Sequence, residues 1–207
     1  DQITATGFTG TLDGILGSGT PAAASVTTLT VNGDISTTTS GTSNFVAGVN
    51  AGNSIASGGN YNVTVGDEAG TALTTGDNNV AVGYAALDAN TTGQDCVAVG
   101  AQALGANTSA SSGTAVGYNA LAANTTGASN TAVGYNALDA NTTGASNTAV
   151  GWSAGTANTT GTQLTAFGYN AGAAHTTGTF NTFLGYESGI TCTTPSYCVG
   201  VGSYALR

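Results

Sequence analysis

The stretch TAVGYNALAANTTGASN at residues 114–130 runs straight into TAVGYNALDANTTGASN at 131–147, and the two differ only at Ala122 against Asp139. Looser copies start at Thr148, Thr165 and Thr182, so the step is 17 residues. One glycine column keeps that phase through Gly66, Gly83, Gly100, Gly117, Gly134, Gly151, Gly168, Gly185 and Gly202. Self-similarity this strict marks a repeat architecture, in which each unit buries its apolar side only against its neighbours. Gly48 lies 18 residues before Gly66, which places one extra residue in the first coil, around Ser57 to Tyr61.

A 17-residue unit is too short for two helices and a turn, and it lacks the Leu, Glu and Lys of helical repeats. The expected fold class is all-β: a repetitive parallel β-solenoid, or β-roll, over residues 44–207. Val82, Val99, Val116, Val133 and Val150 continue into Phe167, Leu184 and Val201, and Ala81, Ala98, Ala115, Ala132, Ala149 and Ala166 precede the first six of them. Strand side chains alternate between faces. The Val column is therefore expected inside, and the Ala and Gly columns on a smooth outer face open to close approach by another backbone. Ala86, Ala103, Ala120 and Ala137 mark a second expected strand, and Asn and Gly of the NTTG segments a turn that tolerates positive φ. So thin a core implies burial between identical chains, and the expected state is a homotrimer with contacts at the Ala and Gly columns.

Composition narrows the function. The chain of 207 residues holds 33 Gly, 10 acidic groups and a single cation, Arg207, for a formal charge of −9. Nucleic acid and anionic membranes both require a basic face, so neither is an expected partner. No run approaches the ~20 apolar residues of a spanning helix, so membrane insertion is not expected. Asp1 opens the chain without a secretion signal, and the chain is read as processed or a fragment. Disorder, the usual reading of Gly, Ser and Thr richness, conflicts with apolar residues that make up 40% of the chain and recur in phase.

The run NTAVGYNAL resembles the head repeats of trimeric autotransporter adhesins, and the NTAVGYNAL and ANTTG arrays resemble those of bacteriophage tail fibres. The segment ILGSGTPAAASVTTLTVNGDI at 15–35 is similar to linkers that precede repeats in such fibres. The resemblance implies an intertwined trimeric fibre on a virion or cell surface, with a host-surface glycan or protein receptor as its partner. Residues 1–43 lack the glycine column and carry Pro21 and a hairpin signal at Asn32-Gly33-Asp34; they are expected to form a β connector or shaft segment.

Catalytic chemistry finds little to work with, and no cofactor is expected. His175, the sole imidazole, shares the column of Asn124, Asn141 and Asn158 and is expected to be a loop residue. Asp88 and Asp139 share a column three coils apart, roughly 14 Å, beyond the ~5–9.5 Å of a glycosidase dyad. A fibre that degrades surface glycans is thus the most distant reading. Asp67, Glu68 and Asp77 could hold an ion only where symmetry mates converge, and no metal motif accompanies them. Thr91, Thr125, Thr142, Thr159 and Thr176 resemble the Thr arrays of ice-binding proteins without their TxT pairing. Asn62, Asn90, Asn107, Asn124, Asn141 and Asn158 head N-glycosylation sequons.

The candidate binding site is an aromatic column, Tyr84, Tyr118, Tyr135, Trp152, Tyr169 and Tyr186, interrupted at Ala101. Such rings stack on sugars, or else cover a corner of each coil. The cysteines complete the list. Cys192 takes the phase of Asn124, and Cys198 that of Asn130, so a disulfide is expected if those positions face each other across the turn. Cys96 lies six coils from Cys198 and is expected to be a buried thiol. The function expected from the whole is a non-enzymatic fibrous or adhesive protein: a phage tail-fibre segment, or alternatively a bacterial or archaeal adhesin or filament subunit.

Overall fold

A computed structural model of the chain describes residues 39–207. The connector expected over 1–43, with its Asn32-Gly33-Asp34 turn, lies almost wholly outside the described residues. The rest is a parallel β-solenoid without helices among the described residues. Ten three-residue strands, β1 (Phe45–Ala47), β2 (Val63–Val65), β3 (Val80–Val82), β4 (Val97–Val99), β5 (Thr114–Val116), β6 (Thr131–Val133), β7 (Thr148–Val150), β8 (Thr165–Phe167), β9 (Thr182–Leu184) and β10 (Val199–Val201), form one sheet in sequence order. Each pairs in parallel with the next, Val116 against Val133 and Val133 against Val150. Nine steps at the ~4.8 Å strand spacing make a stack about 43 Å long.

The first coil carries its extra residue where expected. Phe45 pairs with Val63, 18 positions on, whereas Val63 pairs with Val80, 17 on. Ala56 N–H donates to Thr74 O, and the equivalent bonds Asn44 to Gly59 and Asn62 to Gly76 align Gly59 with Gly76. Ser57 and Gly58 therefore stand against Thr75 alone.

Two expectations are overturned. The strand faces are the reverse of those expected: Ala81, Ala98, Ala115, Ala132, Ala149 and Ala166 are buried, while the Val column faces out, half-buried at first and exposed at Phe167, Leu184 and Val201. Size overrules hydrophobicity here. Where the turn supplies a Leu, as in Leu121 and Leu138, the interior of a 17-residue coil is already so filled that it admits only a methyl from the strand. The Ala column, sealed inside the coil, is thus closed to contact with another chain, and the glycine column serves packing within one chain. Gly134 sits at φ +138°, and a Cβ there would strike the carbonyl oxygen of Gly151 in the next coil of the same chain. The glycines permit coil-on-coil stacking.

The expected second strand is also absent. Ala85 and Leu87 have φ of 51° and 53°, as do Asn119 and Leu121 at 54°. The segment is a turn built on left-handed residues, and this is why Ala86 and Leu87, adjacent in sequence, are both buried. In an extended strand they would face opposite ways.

The interior is partly polar. Asn90, Asn107, Asn124, Asn141 and Asn158 are buried in an amide ladder along the stack. Asn141 Nδ2 donates to Asn124 Oδ1 at 2.8 Å and to Gly144 O at 2.9 Å, and Asn158 Nδ2 donates to Asn141 Oδ1 at 2.9 Å. A second column bridges backbones: Asn130 Oδ1 accepts from Asn147 N–H at 2.8 Å, and Asn130 Nδ2 donates to Gly144 O at 2.7 Å. Stacked amides satisfy one another as they do in cross-β assemblies. The NTTG asparagines were expected for their tolerance of positive φ; none of them has it.

Candidate functional site: an aromatic ladder along the rod

The glycine of each coil ends the strand, and the residue after it stands at the corner, pointing outward. Tyr84, Tyr118, Tyr135, Trp152, Tyr169 and Tyr186 occupy this corner and are all exposed, from 39% at Tyr135 to 53% at Tyr84. The strand spacing sets their separation. Tyr118 stacks on Tyr135 with centroids 5.3 Å apart, Tyr135 on Trp152 at 4.1 Å, and Tyr169 on Tyr186 at 5.1 Å, the planes within 14° of parallel. Tyr204 meets Tyr186 edge-on at 5.4 Å, and Arg207 lies over the Tyr204 ring. The rings within a stack therefore spend their faces on one another. Only ring edges and hydroxyls remain for a ligand there, and an edge stacks poorly on a sugar.

Ala101 breaks this order. Tyr84 and Tyr118 flank it two coils apart, about 9.6 Å at the strand spacing. Beside the break lies an open cavity of about 260 Å³ lined by Ala85, Asp88, Gln102, Gly105, Ala106 and Ala122. Glu68 adds local negative charge: its hydrogen bond and its charge push the Tyr84 hydroxyl up from its ordinary pKa.

The remaining candidates sit elsewhere. His175 lies in the loop between β8 and β9, as expected, and is there a buried member of the amide column, its Nε2 3.0 Å from Gly178 O and its ring edge-on to Phe183. Sealed from solvent, it cannot act on an external substrate. Asp67 Oδ1 accepts from Val49 N–H and Asp77 Oδ1 from Asn60 N–H, so these carboxylates tie neighbouring coils together. Among the described residues no three His, Cys, Asp or Glu side chains gather as a metal site would require. The Thr column donates inward to the next coil, Thr91 Oγ1 to Thr108 O and Thr125 Oγ1 to Thr142 O, both at 3.0 Å, so it offers no free hydroxyl array. All six sequon asparagines are at most 1% exposed, which denies their amides to a glycosyltransferase once the coil has formed.

The two asparagine columns do face each other across the turn. Asn130 Nδ2 lies 3.5 Å from Asn124 Oδ1, and Asn181 Nδ2 lies 3.3 Å from His175 Nε2. Cys192 and Cys198 take these two columns one coil later and are unbridged thiols in this structure. Burial first, and then the proximity of Cys198, push the Cys192 thiol up. Cys96 is buried, its thiol bonded to Gln94 O and Ala110 O at 3.3 Å.

The residue pattern concealed the amide ladder. Its one signal was an asparagine held in phase through five coils and replaced only by Ile55, Leu73, His175 and Cys192, all side chains that fit an interior. No family model, no curated protein and no solved structure matches the chain. Among the described residues no helix is long and apolar enough to cross a membrane.

Proposed function

We propose that the chain is the rod segment of a non-enzymatic fibrous protein assembled from identical chains, a trimeric fibre of the phage tail-fibre kind that acts outside the cell. The observation that carries this reading is the outward sheet face. Val80, Val82, Val97, Val99, Val116 and Val133 form a flat, β-branched strip that continues along the stack into Phe167 and Leu184, which are 51% and 44% exposed. Exposed apolar strips of this extent are characteristic of interaction surfaces. A second copy of this chain is the partner that fits, because only a rod with the same coil spacing meets every coil equivalently. The contact surface is thus the Val face, in place of the Ala and Gly columns. Sedimentation velocity provides the test. The parent chain should run as a trimer, and Val116→Asp with Val133→Asp should run as a monomer with unchanged β circular dichroism. A folded parent monomer at tens of micromolar overturns the proposal.

The exposed aromatic ladder favours a second reading on the same fold, a surface adhesin or filament subunit that meets another surface along its side. Binding of the intact rod to whole cells, lost when Tyr135 and Trp152 are both replaced by Ala, separates a contacting rod from a spacer.

A further inference from the structure

The break at Ala101 is the one place between Tyr84 and Tyr186 where the corner column holds no ring. We infer that the gap between Tyr84 and Tyr118 is a binding slot for one neutral pyranose residue of a glycan. The inference is independent of rod association, since the slot belongs to a single chain.

Three features carry it. First, Tyr118 stacks on Tyr135 on its far side, which holds its plane across the stack and leaves its other face toward Ala101, whose methyl cannot cover it. Second, the gap has the right thickness. Carbon atoms in optimal contact stand ~3.5–4.0 Å apart, so a flat aromatic ring would fill only about 7–8 Å of a slot about 9.6 Å across. A pyranose chair, whose carbons alternate above and below its mean plane and carry axial hydrogens, takes up the remainder. Both of its faces can then present C–H groups to a tyrosine.

Third, the floor beside the slot is built for hydroxyl groups. Ala85 and Gln102, chain neighbours of Tyr84 and Ala101, open onto the cavity that also holds Asp88. Asp88 supplies an acceptor, and the exposed Gln102 amide both a donor and an acceptor. Gly105 stands in the column filled by Asp88 and Asp139, so the side chain that would close the floor is missing. With Asp88 and Glu68 nearby and Arg207 at the far end of the rod, the slot disfavours sialylated or uronic sugars.

The test uses the whole chain and ligand-observed saturation-transfer NMR with maltohexaose, chitohexaose and galactotetraose, with sialyllactose as the anionic comparison. At least one neutral oligosaccharide should bind, with weak affinity. Ala101→Tyr, which restores the ring found in most other coils and so preserves folding, should occupy the slot and weaken binding by at least about tenfold, as should Tyr118→Ala. Tyr186→Ala, whose ring already meets Tyr169 face-on and Tyr204 edge-on, should leave affinity within about twofold. Absence of binding by all three neutral glycans overturns the inference. So does full binding by Ala101→Tyr, or tighter binding of sialyllactose. Light scattering on the same samples reports rod association separately, so loss of the slot and loss of assembly are read apart.

Discussion

The coils from Thr114 to Asn147 and those from Thr165 to Gly189 share one backbone but fill it differently. In the first group the strand contributes a buried Ala and the turn a buried Leu, as in Ala115 with Leu121 and Ala132 with Leu138. In the second the turn gives up its Leu for Gly172 and Gly189, and the strand supplies Phe183, buried where the flanking strands carry Ala166 and Gly200. A Cβ on Gly172 would lie 2.7 Å from Phe183 Cδ2, and one on Gly189 would strike the same ring from its other edge. Core volume is thus conserved while its source moves between strand and turn. The exchange also relieves the turn, since Leu138 is held at φ 51°, where glycine incurs no side-chain penalty. What the two regions share without exception is the glycine column, and coil stacking rests on it.

The largest effect should therefore strike both regions alike. Gly134→Val and Gly185→Val each force a Cβ into the carbonyl of the coil above at strongly positive φ. Each should cost about 4 kcal/mol or more in urea unfolding. If either variant is as stable as the parent, the shared-backbone account fails.

Phe183→Ala tests the exchange itself. It should cost about 3–4 kcal/mol by leaving a cavity between two glycines. Adding Gly189→Leu recreates the central pattern and should recover at least about 1.5 kcal/mol, although Gly189→Leu alone overpacks the coil and destabilises it. Additive losses in this double-mutant cycle would break the comparison.

Asn141→Ala removes two donated bonds and the acceptor for Asn158, all inside the stack. The expected loss is about 2–3 kcal/mol, seen also as faster amide exchange in both flanking coils. The last coil replaces this polar link by Cys192 opposite Cys198. Oxidation by glutathione disulfide should close a short loop and add about 2–3 kcal/mol, absent in Cys198→Ser. Free thiols at both positions after oxidation, read by peptide mapping, remove that contrast.

The smallest effect separates the two near-identical coils. Asp139 stands where Ala122 does, and partial burial pushes its carboxyl up from the ordinary range. A raised folded-state pKa means stability that is present below the unfolded value and lost as pH rises through the folded one. Asp139→Ala should accordingly match the parent in acid and gain a few tenths of a kcal/mol at neutral pH, screening by solvent keeping the figure small. Thermal melts at the two pH values check the sign.

Much of the architecture was legible in the residues. The 17-residue step, the glycine phase and the extra residue near Ser57 all passed directly into strand register, because a solenoid maps sequence period onto strand spacing. The aromatic corner was legible for the same reason. Facing was not. Val133 has the higher hydrophobicity, yet Ala132 is inside, and only the girth of the closed coil reveals that the interior has no room for a second branched side chain. Nor could alternation distinguish a second strand at Ala137 from a turn, since both neighbours there being buried depends on Leu138 adopting a left-handed φ.

By itself, then, the sequence determined the period, the all-β stacking and the column in which every residue stands, since these follow from repetition along one dimension. Only the tertiary structure decided which columns face inward, that the asparagines bond to one another through the core, and that Tyr118, Tyr135 and Trp152, and likewise Tyr169 and Tyr186, stack face to face. Those outcomes depend on the closed cross-section of the coil, where volume and hydrogen-bond satisfaction are set by residues far apart within each repeat and by the coils directly above and below.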